Sequence, residues 1–166
     1  MIVRFAEKQD LDRVNELRRQ VNDIHVAGKP DVFKPGFSKE LQKYLYQFQK
    51  DADCRIVVAE QEGEICGFAL LRHIKRPENL MKLKQDYLEI DEFGVDEAYR
   101  RQGIASEMIA FIRDYAKKNH IHRIELNMWE FNKDALAFYE AVGFATYRRY
   151  MELFLDDPGE YYQRGT

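Results

Sequence analysis

The sequence predicts a mixed α/β fold, because apolar residues recur along one chain at two different periods. Some segments place them three and four residues apart, as a helix with one buried stripe requires, and others alternate or run apolar as strands do. The two kinds of segment interleave without internal repeats or low-complexity linkers. At 166 residues the chain is expected to form a single domain over 1–166, long enough for one continuous hydrophobic core.

Taken in order, Ile2 to Ala6 reads as a first strand. Leu11, Val14, Leu17 and Val21 fall at helical spacing and predict a helix from about Gln9 to Ile24. Gly28, Pro30, Pro35 and Gly36 then break the pattern. Ser38 is placed to cap a second helix that carries Leu41, Tyr44, Leu45 and Phe48 on one face. Cys54 to Glu60 and Glu64 to Ile74 are β-rich runs joined by Glu62-Gly63, a hairpin turn. Tyr87 to Val95 predicts the next strand, and Ile104, Met108, Phe111, Ile112 and Tyr115 the stripe of a third helix. His122 to Met128 alternates as a strand, Asn132 to Gly143 is helical, and Arg148 to Leu155 reads as a last strand.

Bulk properties exclude several classes. A formal net charge of -3 gives no reason to expect a nucleic-acid partner, since chains that track phosphate backbones carry a basic excess. No apolar run approaches the roughly 20 residues that a membrane span needs, and the N-terminus lacks a signal-peptide pattern. No membrane partner is expected, and the chain is expected in the cytoplasm. Cys54 and Cys66 lack metal-ligand spacing and are expected to be reduced and structural. His25, His73, His120 and His122 show no ligand spacing beyond one His-x-His pair, so no metal is expected. The strings of a P-loop and of a dinucleotide fingerprint are both absent.

The densest signal is Arg100-Arg101-Gln102-Gly103-Ile104-Ala105-Ser106, which leads from a strand into an amphipathic helix. Gly103 permits a tight turn and close approach to a ligand, and the first helical N–H groups have no partner within the helix. Two arginines beside those donors add charge-assisted bonding to a di-anion. The spacing Arg100-x-x-Gly103-x-Ala105 resembles the Arg/Gln-x-x-Gly-x-Gly/Ala signature of the GNAT superfamily of N-acetyltransferases. A second signature follows one strand later: Asn132 opening a helix, Ala137-Phe138-Tyr139 within it, and Gly143-Phe144 at its exit. The resemblance covers about Val3 to Leu153 and implies the GNAT acyl-CoA N-acyltransferase fold, a mixed central sheet flanked by four helices. It further implies acetyl-CoA as co-substrate, gripped through its pyrophosphate by residues Arg100 to Ser106, and an amine acceptor, either a small molecule or a protein amine. A homodimer is common among similar proteins. One departure is visible: where the family often has a Pro two residues after the Val95 position, this chain has Glu97.

Acetylating a lysine-type amine with a pKa near 10.4 at pH 7 requires about 4 to 5 kcal/mol to neutralise it, so a general base is useful. In Tyr87 to Phe93, period two places Glu89 and Asp91 on one face and Leu88 and Ile90 on the other. Different GNAT branches keep their base at each of these two positions; the alternative reading is a solvated strand face. Tyr139 stands where many members keep the phenol that protonates or hydrogen-bonds the departing thiolate, though tyrosines at such spacing are also ordinary packing residues. Asn132 either caps its helix or also bonds the pantetheine arm. Phe93-Gly94-Val95 sits where the family strand splays from its neighbour, with Gly94 suited to a bulge and the backbone amides to pairing with pantetheine or polarising the thioester carbonyl.

Acceptor recognition is less specific. The segment from Ile24 to Phe37 is expected to be a loop over the acceptor site, with His25 and Asp31 as contacts or as ordinary loop residues. Trp129, Glu130 and Phe131 would form an aromatic and acidic wall for a cationic amine, or pack in the core. The rival reading from another class is a coenzyme A-binding regulatory module without turnover.

Overall fold

The structure is a computed structural model that describes residues 1–155. In chain order it contains β1 (Ile2–Phe5), α1 (Leu11–Gly28), α2 (Lys39–Lys50), β2 (Cys54–Gln61), β3 (Glu64–Arg76), β4 (Gln85–Val95), α3 (Ile104–Lys118), β5 (Ile124–Leu126) and α4 (Lys133–Ala141). The sheet order is β1-β2-β3-β4-β5. The first four strands pair antiparallel, and β5 pairs parallel to β4. A parallel pair needs a crossover, and α3 supplies it. The mixed sheet and four helices are those the sequence implied.

Contacts divide the chain into two compact units, the first of Met1–Asp23 and Gly36–Asn127, the second of Ile24–Pro35 and the chain from Met128 onward. The first unit holds the whole sheet. On one sheet face, Ile56, Val58, Phe68 and Leu70 pack with Leu11, Val14 and Leu17 of α1 and Leu45 and Phe48 of α2. The other face receives α3, whose Met108 and Ile104 lie against Gly67 so closely that a Cβ there would meet the Met108 sulfur at 2.8 Å. Cys54 and Cys66 are both free thiols buried in this core, and burial pushes both thiol pKa values up.

Local chemistry fixes the element ends. Ser38 Oγ accepts from the Leu41 N–H at 3.2 Å, as an N-cap should. Glu62 and Gly63 have φ of 54° and 82°, the positive pair that a two-residue hairpin turn demands.

Three expectations are corrected. Helix α1 runs to Gly28 rather than stopping near Ile24, because nothing before the glycine breaks it; the loop therefore begins only at Lys29. Arg148 to Leu155 form no strand. Their alternation has no ladder partner among the described residues, and Tyr150, Met151, Leu153 and Leu155 are all exposed. Pattern alone does not make a strand; a neighbour must take its hydrogen bonds. The third correction concerns Gly94. It stays in register opposite Phe68, and the bulge lies at Asp91, where the partners of β3 step from Ile90↔Leu71 to Glu92↔Leu70.

Gly94 is needed for packing instead. A Cβ there would meet Val21 Cγ2 at 2.7 Å and Phe68 Cε1 at 2.8 Å. Gly94→Ala should therefore destabilise the protein by about 1–3 kcal/mol. Combined with Val21→Ala, the loss should be clearly less than the sum of the two single changes, as a double-mutant cycle in urea would read.

Candidate active site

The bulge determines what β4 presents. Glu89 lies opposite Arg72 and Glu92 opposite Leu70, two residues apart on β3 and hence on one face. In an unbulged strand, residues 89 and 92 would point to opposite faces. The extra residue brings Glu89, Asp91 and Glu92 to the face covered by α1 and α2, while Leu88 and Ile90 are buried on the other.

Each acid is held differently. Glu92 takes a bidentate pair from Arg18, with Nε–Oε2 of 2.7 Å and Nη2–Oε1 of 2.6 Å. Arg18 is only 3% exposed and also donates to Asn15 Oδ1 and the Leu41 carbonyl. Asp91 accepts from the Tyr44 hydroxyl at 3.1 Å, and Tyr44 in turn accepts from Arg72 Nη2 at 2.9 Å. Arg72 lies 3.8 Å from Asp91. Burial, then the charge of Asp91, pushes the Tyr44 phenol up and so keeps its proton available for donation. Glu89 is half-buried and accepts no hydrogen bond from any described residue. Burial raises its pKa first and the charge of Asp91 next, against the opposing pull of Arg72 and Arg76. A half-buried carboxylate with unspent lone pairs and a raised pKa has the properties of a general base.

Beyond Ile90↔Leu126 the β4–β5 ladder ends, because β5 stops at Leu126 while β4 continues through Phe93-Gly94-Val95. Phe93-Gly94-Val95 therefore has no ladder partner on the β5 side among the described residues. Asp96 then turns the chain: it is buried, accepts from the Ala98 N–H at 2.9 Å and pairs with Arg13. Glu97 opens a 3-10 turn under that cap, so an ion pair provides the rigidity that a proline would.

The glycine loop follows. Arg100 Nε donates to the Val95 carbonyl at 3.4 Å. Arg101 and Gly103 both have positive φ, 62° and 82°. Gly103 is the N-cap of α3, and nothing lies within 4 Å of the position its Cβ would occupy. Arg101, Gln102 and Ser106 are exposed, while Ile104 is buried and anchors the helix start. The first turn, through Ala105 and Ser106, has amides with no partner inside the helix, and Arg100 and Arg101 precede it in the chain.

In the second unit, Asn132 Oδ1 accepts from the Ala135 N–H at 3.2 Å and caps α4. Gly143, at φ 94°, ends that segment, and Phe144 N–H returns to the Tyr139 carbonyl at 2.9 Å. Tyr139 is half-buried between Phe138 and Phe144, with ring centroids at 5.3 and 5.6 Å. Burial pushes its phenol up to about 12. His25 stacks on Phe33 at 5.0 Å, Phe33 meets Trp129 edge-on at 5.1 Å, and Phe131 fills the space beside Gly28. Trp129 keeps 37% of its surface exposed, so it does not pack in the core. Asp31 pairs with Lys29 at 2.9 Å, and Glu130 with Lys133 at 2.7 Å.

Sequence reasoning missed Arg18, Tyr44 and Arg72. Tyr44 was read as part of an apolar helix face. Arg72 had a signal: it is the first cation after the apolar run Ile65 to Leu71 in β3, and the strand that follows is rich in acids.

The model of the acetyltransferase (GNAT) family matches residues 18–144. No curated protein matches the sequence. Among solved structures, a tetramutant of the BH1408 protein from Bacillus halodurans is similar at 26% identity and a TM-score of 0.88, over 93% of this chain and 100% of that one. An acetyltransferase from Vibrio fischeri is similar at 26% identity and a TM-score of 0.62, over 78% and 97%. The aminoglycoside N-acetyltransferase AAC(6')-Iy in complex with CoA shares the fold, with a TM-score of 0.68 at 15% identity over 93% and 99%. No helix among the described residues is long and apolar enough to cross a membrane.

The raised pKa of Glu89 has a consequence for stability. Folding favours its neutral form, so that contribution is complete below the ordinary carboxylate pKa and is lost as pH rises through the folded value. Glu89→Gln should therefore gain in melting temperature relative to wild type between about pH 4 and pH 7, with the difference vanishing at the acid end. Parallel melting curves for the two proteins across that range would refute the burial of this carboxylate.

Proposed function

The chain belongs to the acetyltransferase (GNAT) family, and on that premise we propose that it moves the acetyl group of acetyl-CoA onto an amine nitrogen by direct attack in a ternary complex. The observation that carries this reading is Glu89, a half-buried carboxylate with no hydrogen-bond donor among the described residues, on the strand that leads into the glycine loop. Residues 1–166 act as one catalytic domain in this reading, in the cytoplasm.

Acetyl-CoA fits the residues present. The open space over Gly103 admits a phosphate close to the backbone, where Ile104, Ala105 and Ser106 offer amides and Arg100 and Arg101 offer charge. The pantetheine arm would run along Phe93-Gly94-Val95, where β5 no longer pairs with β4, with Asn132 as a further contact. A backbone amide of that stretch would polarise the thioester carbonyl. Glu89 takes the proton of the ammonium, directly or through one water, and frees the lone pair that attacks the carbonyl carbon. The C–S bond then breaks and sulfur leaves as thiolate.

The state of Tyr139 constrains its role. A phenol at about 12 is a weaker acid than a thiol of about 8.5, so complete transfer to the thiolate would be uphill by roughly 5 kcal/mol. Tyr139 serves in this reading as a hydrogen-bond donor to the leaving sulfur. The aromatic wall of Phe33, Trp129 and Phe131 suits a cationic amine acceptor.

Release of free thiol from acetyl-CoA, measured against a broad panel of amines, tests the reading; binding of coenzyme A without turnover on any amine would favour the regulatory module. Gly103→Val forces a β-branched residue into φ 82° and should weaken coenzyme A binding at least tenfold by calorimetry, with the fold kept. Tyr139→Phe should lower kcat by about 10²-fold with cofactor affinity unchanged. An unchanged kcat, with chemistry rate-limiting, would return Tyr139 to a packing role.

A further inference from the structure

We infer that Tyr44 and Arg72 are positioning residues for the transfer: together they tether Asp91, and Arg72 faces Glu89, so that one carboxylate of the pair is held as a fixed charge and the other is left to carry the proton. The inference rests on the acetyltransferase reading and says which acid acts and what selects it.

The geometry separates two carboxylates that the sequence alone leaves equivalent. Asp91 is the bulged residue of β4 and has no partner in the β3 register. Its Oδ2 is taken by the Tyr44 hydroxyl at 3.1 Å, with Arg72 3.8 Å away. Tyr44 is itself fixed, because it accepts from Arg72 at 2.9 Å and its ring packs against Phe48 with centroids 5.8 Å apart. The Arg72 guanidinium lies over the Phe48 ring at 5.0 Å. The chain Arg72–Tyr44–Asp91 thus runs from β3 through α2 to β4, held at each step by a contact.

Glu89 stands outside that chain. Arg72 lies opposite it on β3, and Glu125 lies opposite it on β5. The charges that face it are Asp91 and Glu125, which favour its neutral form, and Arg72 and Arg76, which favour its ionised form. Arg72 is the group common to both acids. It supports the tether on Asp91 and opposes the charge that the tethered Asp91 imposes on Glu89. In the step itself, the ammonium N–H bond breaks, the O–H bond forms on Glu89, and the nitrogen keeps the electron pair. After the product leaves, Glu89 returns its proton to solvent.

Two readouts test this: the pH profile of kcat/KM on the amine found in the screen, and the carboxyl titration of Glu89 followed by carbon NMR on labelled protein. Arg72→Met should move the acidic limb and the Glu89 titration upward together, by about one pH unit. Arg72→Lys should restore both most of the way. Asp91→Asn should move both downward and keep the limb, and Glu89→Gln should abolish the limb. Tyr44→Phe should shift the profile without removing it, with a melting curve as control for folding. An Arg72→Met protein with an unmoved Glu89 titration would overturn the inference, as would an Asp91→Asn protein that loses the limb altogether. The titration reads the inference even if no amine is acetylated, so its failure is distinct from failure of the acetyltransferase reading. Should Arg72→Met fail to fold, Asp91→Asn and Tyr44→Phe still carry the test.

Discussion

One extra residue in β4 governs the rest. A regular strand cannot place Glu89 and Glu92 on the same face, and without that placement Glu92 could not meet Arg18. The bulge at Asp91 solves both. Arg18 then joins three elements at a single buried guanidinium, with Asn15 of α1, the Leu41 carbonyl of α2 and Glu92 of β4 as its partners. Burying a guanidinium is costly, and the cost is offset only when its donors are met at good geometry. Here three of its nitrogens have partners. The function of the pair is register: α1 and α2 cannot slide over the sheet without leaving Arg18 buried and unpaired.

The same bulge divides labour among the acids. Glu92 is committed to Arg18, Asp91 to Tyr44 and Arg72, and Glu89 to nothing. Three carboxylates within four residues would repel one another if all were equally exposed. Pairing two with local donors leaves a third whose proton affinity is raised by partial burial and by the charge of Asp91. The raised proton affinity of Glu89 therefore arises from a structural arrangement of its neighbours.

Much of this was legible in the sequence. Helix stripes and capping residues such as Ser38 and Asn132 depend on local spacing, and local spacing survives folding. The Gly103 loop was legible because positive φ and a helix N-terminus leave a short motif. The bulge was not, because nothing in Glu89-Ile90-Asp91-Glu92 distinguishes a bulged strand from a regular one. Placing it at Gly94 followed a sound rule about glycine in strands, but there the absent side chain makes room for Val21 and Phe68. The contacts of Arg18 and Arg72 span 74 and 28 positions of sequence respectively, so local spacing could not name their partners. Arg148 to Leu155 mislead for the opposite reason: the pattern is there, but no strand among the described residues pairs with it.

The turn after β4 shows how a departure from a family pattern can leave the geometry intact. A proline there would fix φ and stiffen the entry to the Gly103 loop. Glu97 cannot, and the rigidity comes instead from Asp96, whose side chain caps the turn and pairs with Arg13 of α1 while its N–H bonds the Cys66 carbonyl at 2.8 Å. The consequence differs in kind. A proline restrains the unfolded chain as much as the folded one, whereas the Asp96–Arg13 pair exists only when α1 is docked. The turn that leads into the Gly103 loop is therefore coupled to α1, the helix that also holds Glu92 through Arg18, so the two ends of the β4 acid-to-glycine stretch rest on one helix.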